Sequence, residues 1–261
     1  MTSEPARAFE AFGVRFAVSA PVDDETLAAH LPPNARHVRQ RSDDPLFAVV
    51  PAGDDRYDVY DGGVPSGFGQ ALPAALSTVA ADLRRAMAER SPTLVFVHAG
   101  VVGVAGRAVV VPGRSEAGKS SLVTGLVRAG AEYLSDEYAP LDADGRVHPY
   151  PQDIRLRVDG EVVEVAPRQL GGSVAARPMP VGAIVLTSFH RPSTRWRPRL
   201  ATAGEGAIAL LKHAPAARER PAEALAAAAA ATEGSTVLVG RRGDVSIAAA
   251  SILRRLTAAW T

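Results

Sequence analysis

The sequence predicts an α/β protein built from a small N-terminal α/β domain, residues 1–92, and a larger second domain, residues 93–261. Two observations support this prediction. Apolar segments typical of strands alternate with segments of helical spacing along most of the 261 residues, and the strand signal becomes much denser from residue 93 onward. A chain of this length buries a sizeable core without disulfides or structural metals.

Composition excludes several classes of function. The 29 basic and 28 acidic side chains nearly cancel, with a net charge of +1, so we expect no nucleic-acid or membrane partner. The chain has no cysteine, which excludes thiolate nucleophiles and cysteine-based metal sites. The first residues lack an apolar run and no segment has the length of a membrane span, so we expect a cytoplasmic protein.

The N-terminal domain shows structural patterns but no chemical motif. Short apolar stretches at residues 14–18 and 47–50 and an alternating stretch at 57–60 predict strands. Apolar residues at helical spacing predict a helix over residues 72–90. We therefore interpret this domain as one that supports the second domain or shapes its substrate site.

The second domain begins with a predicted β-hairpin that leads into a glycine-rich loop. Residues 94–98, 101–104 and 108–111 are predicted strands around a turn at 105–107, and residues 121–129 form a predicted helix ended by Gly130. Further strands are expected at 133–138, 146–150, 154–158, 181–188 and 236–239, and helices at 207–213, 222–231 and 245–260.

The loop between this strand and helix matches the P-loop pattern. Its two fixed glycines would let backbone N–H groups surround phosphate oxygens, Lys119 would neutralise phosphate charge, and Ser120 would bind Mg²⁺. Only one other lysine occurs in the chain, which favours a specific role for Lys119 over the alternative of a structural glycine-rich turn. The candidate ATP-binding residues are Gly113, Arg114, Ser115, Glu116, Ala117, Gly118, Lys119, Ser120 and Ser121.

Two adjacent carboxylates, Asp136 and Glu137, follow the predicted P-loop helix after a short turn and end a strand. Neighbouring side chains of an extended segment point to opposite faces, so the two would have different roles. One would act as a base toward an attacking hydroxyl and the other would face the metal. The alternative is a solvated acidic turn.

These motifs, in this order, resemble the HPr kinase/phosphorylase catalytic domain and the wider group of HPr-kinase-like serine kinases, with phosphoenolpyruvate carboxykinase as a distant structural relative. The resemblance covers about residues 93–160 and rests on residues 97–100, 113–121, 129–137 and 141–142. The N-terminal domain is short and unlike that of true HPr kinases, so the resemblance implies a protein related to HPr kinases and not a true HPr kinase. The resemblance also allows the protein to be a homo-oligomer.

The resemblance also implies roles for individual residues. Asp136 matches the catalytic aspartate that takes the proton from the acceptor serine, Glu137 stands where a second aspartate binds the metal, and His98 matches a histidine that approaches the catalytic carboxylate. Taken alone, a histidine among valine and alanine is more typical of a buried core position. Lys119 completes the predicted catalytic set.

Two pairs of arginines are candidates for further charge stabilisation. Arg155 and Arg157 share one face of a predicted strand, and Arg241 and Arg242 lie in a predicted polar turn before the last helix. Either pair is able to bind a phosphoryl group or an anionic substrate, and surface salt bridges are the alternative for each.

The sequence as a whole predicts an ATP- and Mg²⁺-dependent kinase that phosphorylates a serine-like hydroxyl of a peptide or small molecule. The alternative is a catalytically weak ATP-binding regulatory or scaffold protein. Decarboxylation of the carboxykinase type ranks lower, because Lys212 is the only other lysine that such a metal site might use.

Overall fold

The structure is a computed structural model that describes residues 5–113, 118–158, 161–193 and 195–260. The chain divides into two compact units, Met1–Thr93 and Leu94–Thr261. Both units combine strands and helices, which confirms the α/β class predicted from the sequence. Within the described residues, no helix is both long and apolar enough to span a membrane.

The first unit is a mixed sheet with a long helix. Its elements are β1 (Arg7–Ala11), β2 (Val14–Ser19), α1 (Asp24–Ala28), β3 (Arg36–His37), β4 (Leu46–Gly53), β5 (Arg56–Asp61), β6 (Val64–Gln70) and α2 (Leu72–Arg90). The strand order is β3-β1-β2-β4-β5-β6. Helix α2 buries Leu76, Val79, Leu83 and Met87 along one face, so the predicted helix and the predicted strands that became β2, β4 and β5 are confirmed.

The second unit holds the glycine-rich loop. Its elements are β7 (Val95–Val104), β8 (Arg107–Pro112), α3 (Lys119–Arg128), β9 (Glu132–Ser135), β10 (Tyr138–Leu141), β11 (Arg146–Val147), β12 (Ile154–Val158), β13 (Glu161–Val165), β14 (Met179–Phe189), β15 (Arg199–Ala201), α4 (Ala203–Leu211), α5 (Pro221–Thr232), β16 (Thr236–Arg242) and α6 (Val245–Trp260). Short 3₁₀ turns occupy Pro167–Leu170 and Pro215–Ala217.

The main sheet of this unit runs in the order β11-β10-β7-β8-β14-β16-β15, and β9 also pairs with β7. Strands β8, β14 and β16 are parallel. The predicted hairpin is confirmed as β7–β8, which turns through Ala105 and Gly106 at positive φ. The two strands predicted at 94–98 and 101–104 are one continuous strand, β7.

Helices cover both faces of this sheet. On one face, α3 and α6 bury Leu122, Leu126 and Ile252 against Val102 and Val109. On the other face, α4 and α5 lie over Val101 and Val110, and the alanine-rich helix α5 buries Ala227, Ala228 and Ala231 in the same cluster. The central strands are therefore apolar on both sides, as expected for a covered parallel sheet.

Several predicted elements differ from the observed ones. Helix α4 begins at Ala203 because Thr202 and Glu205 form a capping box, in which Thr202 Oγ1 accepts from Glu205 N–H at 3.2 Å. The strand predicted at 146–150 is limited to Arg146–Val147. The strand predicted at 154–158 is confirmed as β12, which pairs with β13 in a separate hairpin. Arg241 and Arg242 belong to strand β16, not to a polar turn.

Candidate phosphate-binding and acid–base site

The glycine-rich loop connects β8 to α3 at the middle of the sheet. Strand β8 ends at Pro112, and the N–H of Gly113 donates to the carbonyl of His98 at 3.1 Å. Gly118 is the N-cap of α3 in the left-handed region, at φ 76°, where glycine has no steric penalty. Arg114, Ser115, Glu116 and Ala117 lie outside the described residues. Lys119, Ser120 and Ser121 form the first turn of α3.

The acidic pair lies between β9 and β10, beside β7. Both strands pair with β7, through Val101↔Ser135 and Tyr138↔His98. The Ser135 hydroxyl accepts from the N–H groups of Glu137 at 3.2 Å and Tyr138 at 3.1 Å. Ser135 is fully buried and holds this connection in shape. In the sequence, Ser135 stands out only as a member of the segment 129–137, and no pattern there indicates this role.

Asp136 is close to the first turn of α3. Burial raises the pKa of its carboxyl to about 7, with a smaller contribution from Glu137, while a hydrogen bond with Ser120 and the charge of Lys119 lower it. Its Oδ1 atom is buried and has no hydrogen-bond partner in the described part of the chain. The structure thus brings Asp136 to the adjacent Lys119 and Ser120, which precede it by 17 and 16 positions in the sequence.

Gly100, on β7, lies directly next to Asp136 and Lys119. A Cβ atom at this position would lie 3.7 Å from Asp136 Oδ1 and 3.8 Å from Lys119 Cβ, and it would overlap the side chain of Val123 on α3. The missing side chain lets α3 approach β7 closely. This close approach is what places the start of the helix beside Asp136.

Lys119 has electrostatic neighbours that fit phosphate binding. Burial lowers the pKa of its ammonium group, whereas the nearby Asp136 and Glu137 raise it. A half-buried ammonium next to two carboxylates is held in place before any ligand is bound. A bound phosphate would therefore interact with a lysine whose charge is already balanced in part by Asp136 and Glu137.

His98 is half-buried next to Tyr138 and Glu137. Its Nε2 is 3.3 Å from the Tyr138 hydroxyl, and the two rings are 4.4 Å apart. Burial lowers the pKa of His98, the Glu137 carboxylate raises it and Lys119 lowers it. Within the residues described, no hydrogen bond joins His98 to Asp136, so the predicted approach to the catalytic carboxylate is seen only as proximity to Glu137.

The donor set fits a magnesium ion held chiefly through phosphates. The described residues contain no group of three or more His, Asp or Glu side chains arranged to hold a metal. Magnesium usually binds one or two protein carboxylates together with substrate phosphates and water. Ser120 and Glu137 are the oxygen ligands that this chain would offer, and neither needs the unpaired Oδ1 of Asp136.

The arginine candidates are separated by the structure. Arg155 donates to Glu164 at 3.0 Å on the exposed β12–β13 hairpin. Arg241 is exposed, whereas Arg242 is buried and its Nη2 donates to the carbonyl of Gly118 at 2.8 Å. Arg242 therefore reaches the glycine-rich loop directly.

Two cavities flank the loop. One, of about 610 Å³, is bordered by Gly118, Ser121, Phe189 and Arg242. The other, of about 570 Å³, is bordered by Pro112, Gly113, Lys212 and His213. Each is large enough for part of a nucleotide or a small acceptor.

Comparison with known proteins assigns this chain neither a family nor an activity. No family model matches the chain, and no curated protein matches it. One similar solved structure is the HPr(Ser) kinase/phosphatase from Coxiella burnetii, which covers 63% of this chain and 97% of its own, at 13% identity and a TM-score of 0.36. A similarity of this size assigns no activity.

Proposed function

We propose that this chain is an ATP- and Mg²⁺-dependent kinase that transfers the γ-phosphoryl group to a serine-like hydroxyl of a peptide or small molecule. The observation that carries the proposal is the buried, unpaired Oδ1 of Asp136 beside Lys119 and Ser120 at the start of α3. A phosphate-binding helix start next to a base is the arrangement that phosphoryl transfer to a hydroxyl requires.

The proposed roles divide between binding and proton transfer. The Lys119 side chain and the backbone N–H groups at the start of α3 would hold the β- and γ-phosphates. Asp136 would accept the proton of the acceptor hydroxyl while the oxygen of that hydroxyl bonds to phosphorus and ADP leaves. When bound, Mg²⁺ would bridge phosphate oxygens and reduce their charge, with Ser120 and Glu137 as its protein ligands.

A regulatory ATP-binding protein is the second candidate. Glu137 favours it, since its side chain is longer than that of the aspartate expected at this position by resemblance, and a displaced metal would slow transfer without preventing binding. The two candidates agree on nucleotide binding and differ only in turnover.

Incubation with γ-labelled ATP and a pool of serine-bearing peptides and metabolites distinguishes them. We expect wild type to label an acceptor, Asp136→Asn to bind ATP within about threefold of wild type yet transfer at least about 100-fold more slowly, and Lys119→Ala to lose binding. Asp144→Asn, which alters an exposed carboxylate, is the control and should transfer like wild type.

Two results would count against these roles. Equal loss of nucleotide affinity in Asp136→Asn and Lys119→Ala would remove the separation between base and phosphate ligand. Transfer by Asp136→Asn at the wild-type rate would exclude Asp136 as the base. If wild type binds ATP but labels no acceptor, the regulatory candidate is favoured.

A further inference from the structure

Among the residues that the structure describes, Arg242 is a buried cation that forms no ion pair. It retains only 4% of its exposed surface. Its Nε atom is buried without a hydrogen-bond partner, and no ion pair of Arg242 with a carboxylate occurs among the residues described. Burial, with no opposing charge, lowers the pKa of its guanidinium. Burying such a group without an anion is costly, so a ligand that supplies the anion would recover that cost.

The position of Arg242 indicates where such an anion would bind. Its Nη2 donates to the carbonyl of Gly118, the N-cap of α3, at 2.8 Å. A Cβ atom at position 118 would collide with this guanidinium, so the glycine permits the contact. The partial positive charge of the helix start lies at the same place.

Arg242 and Asp136 lie on opposite sides of the loop. In the sheet, β8 has β7 on the Asp136 side, with β9 paired to β7, and has β14 followed by β16 on the Arg242 side. If the γ-phosphate lies next to Asp136 and Lys119, the remainder of the nucleotide extends to the other side of α3. The cavity of about 610 Å³ is located there.

The walls of this cavity suit a nucleoside. Phe189 pairs with Arg242 across β14 and β16 and keeps 62% of its surface exposed. The guanidinium of Arg242 lies 5.9 Å from the centre of this ring. Thr187 and Ser188 add hydroxyl groups, and the Oγ1 of Thr187 is buried without a hydrogen-bond partner in the ranges that the structure describes. An exposed aromatic ring, hydroxyls and a cation match a base, a ribose and a phosphate.

From this arrangement we infer that the cavity between the start of α3 and the ends of β14 and β16 binds the nucleoside part of the nucleotide. Arg242 binds the phosphate nearest the ribose, and Phe189 stacks on the base. This inference rests on the nucleotide-binding half of the proposed function and does not depend on turnover. Asp244 forms no ion pair with Arg242 among the described residues, and its Oδ1 accepts from the N–H groups of Ser246 and Ile247 at the start of α6.

Calorimetric titration of two probes tests the assignment: Mg-ATP, and tripolyphosphate, which lacks the nucleoside. The variants are Arg242→Gln, Arg242→Lys and Phe189→Ala. Arg241→Gln is a matched control, since it removes the same type of side chain from the adjacent, exposed position of the same strand. Circular dichroism establishes that each variant is folded.

We expect Arg242→Gln to weaken both probes by about 10- to 100-fold, the range of a charged hydrogen bond. Arg242→Lys should recover part of that loss. Phe189→Ala should weaken ATP about tenfold and leave tripolyphosphate unchanged. Arg241→Gln should bind both probes like wild type.

The possible failures are distinguishable. If wild type binds ATP and the Arg242 and Phe189 variants bind it equally well, this assignment is wrong while the proposed function stands. Equal losses of binding affinity in Arg241→Gln and Arg242→Gln would mean that only the overall positive charge matters. That result would also overturn the assignment. If folded wild type binds neither probe, the proposed function fails as well. Should Arg242→Gln not fold, the exposed Phe189 position still decides the assignment.

Discussion

At the scale of single residues, the environment that would make Asp136 a base also lowers the stability of the fold. A carboxylate is ordinarily solvated or paired, but this one is half-buried, and its Oδ1 atom is enclosed and unpaired in the described part of the chain. The charge of Lys119 and the Ser120 hydroxyl offset the burial only in part, because the pKa remains raised to about 7. Such a group destabilises the fold wherever it is ionised.

This raised pKa predicts how stability changes with pH. Between about pH 4 and pH 7 the folded protein holds a proton on Asp136 that the unfolded chain has released, so this group's contribution to stability falls as pH rises through that window. Asp136→Asn should therefore be more stable than wild type at pH 8, by on the order of 1–3 kcal/mol, and show a smaller gain at pH 5. Urea unfolding of metal-free protein at the two pH values measures this.

Asp142 provides a control of opposite sign. Although burial opposes it, hydrogen bonds from the N–H groups of Arg146 and Asp144 and from His148 hold the pKa of Asp142 below its usual range. Asp142→Asn should therefore lose stability relative to wild type, and lose more at neutral pH than at pH 3. A loss of stability at pH 8 in both variants would contradict the account in which the burial of Asp136 is only partly compensated.

Some residues of the site are readable from sequence and others are not. The loop glycines, Lys119 and Asp136 stand in recognisable patterns. Which of Arg241 and Arg242 faces the glycine-rich loop depends on how β16 pairs with β14. Two adjacent arginines in a sequence do not indicate this pairing. The role of Gly100 likewise follows only from the packing of α3 on β7.

At the scale of elements, the contact between β7 and α3 positions the site. Gly100 and Gly103 lie on the same strand, yet their surroundings differ. A Cβ atom at Gly100 would overlap the β-branched Val123, whereas one at Gly103 would meet the flexible end of Met179 at 2.9 Å. Stiff neighbours accommodate an added methyl group less readily than flexible ones.

We expect Gly100→Ala to destabilise the protein by about 1–3 kcal/mol and to weaken ATP binding, because Val123 must move α3 away from Asp136. Gly103→Ala should cost clearly less and leave binding unchanged. Thermal unfolding and calorimetry of the two variants provide the comparison. An equal cost at both positions would show that the close approach of α3 to β7 does not position the site.

The elements that the sequence predicts best are those with strong periodicity. Helix α2 matches the predicted range, since its buried residues repeat at helical spacing. Strand β6 was not predicted, because it consists largely of exposed residues with two glycines and a proline. Strand β15 is three residues long and partly exposed, too short for a pattern to be recognised.

At the scale of the whole molecule, strand order determines which chemical groups meet. The sequence predicts most of the central strands but not their arrangement, because sheet order depends on long-range pairing that local patterns do not encode. In the structure the loop strand β8 has β7 on one side and β14 on the other. This order separates the acid–base residues from the cavity that contains Arg242.

The division of the chain leads to a prediction for a fragment. The predicted site residues all belong to Leu94–Thr261, a compact unit with hydrophobic clusters on both faces of its sheet. Residues 94–261 expressed alone should fold and bind Mg-ATP within about threefold of the full chain. Circular dichroism and calorimetry check this. A fragment that folds but binds no ATP would place part of the site in the first unit.

The central claim is that the loop between β8 and α3 binds nucleotide phosphates through Lys119. Calorimetric titration of Mg-ATP into the full chain, compared with Lys119→Ala, tests it most directly. The account predicts saturable binding of one nucleotide per chain in wild type and loss of that binding in the variant, with both proteins folded. Binding that is unchanged in Lys119→Ala, or absent from folded wild type, would contradict it.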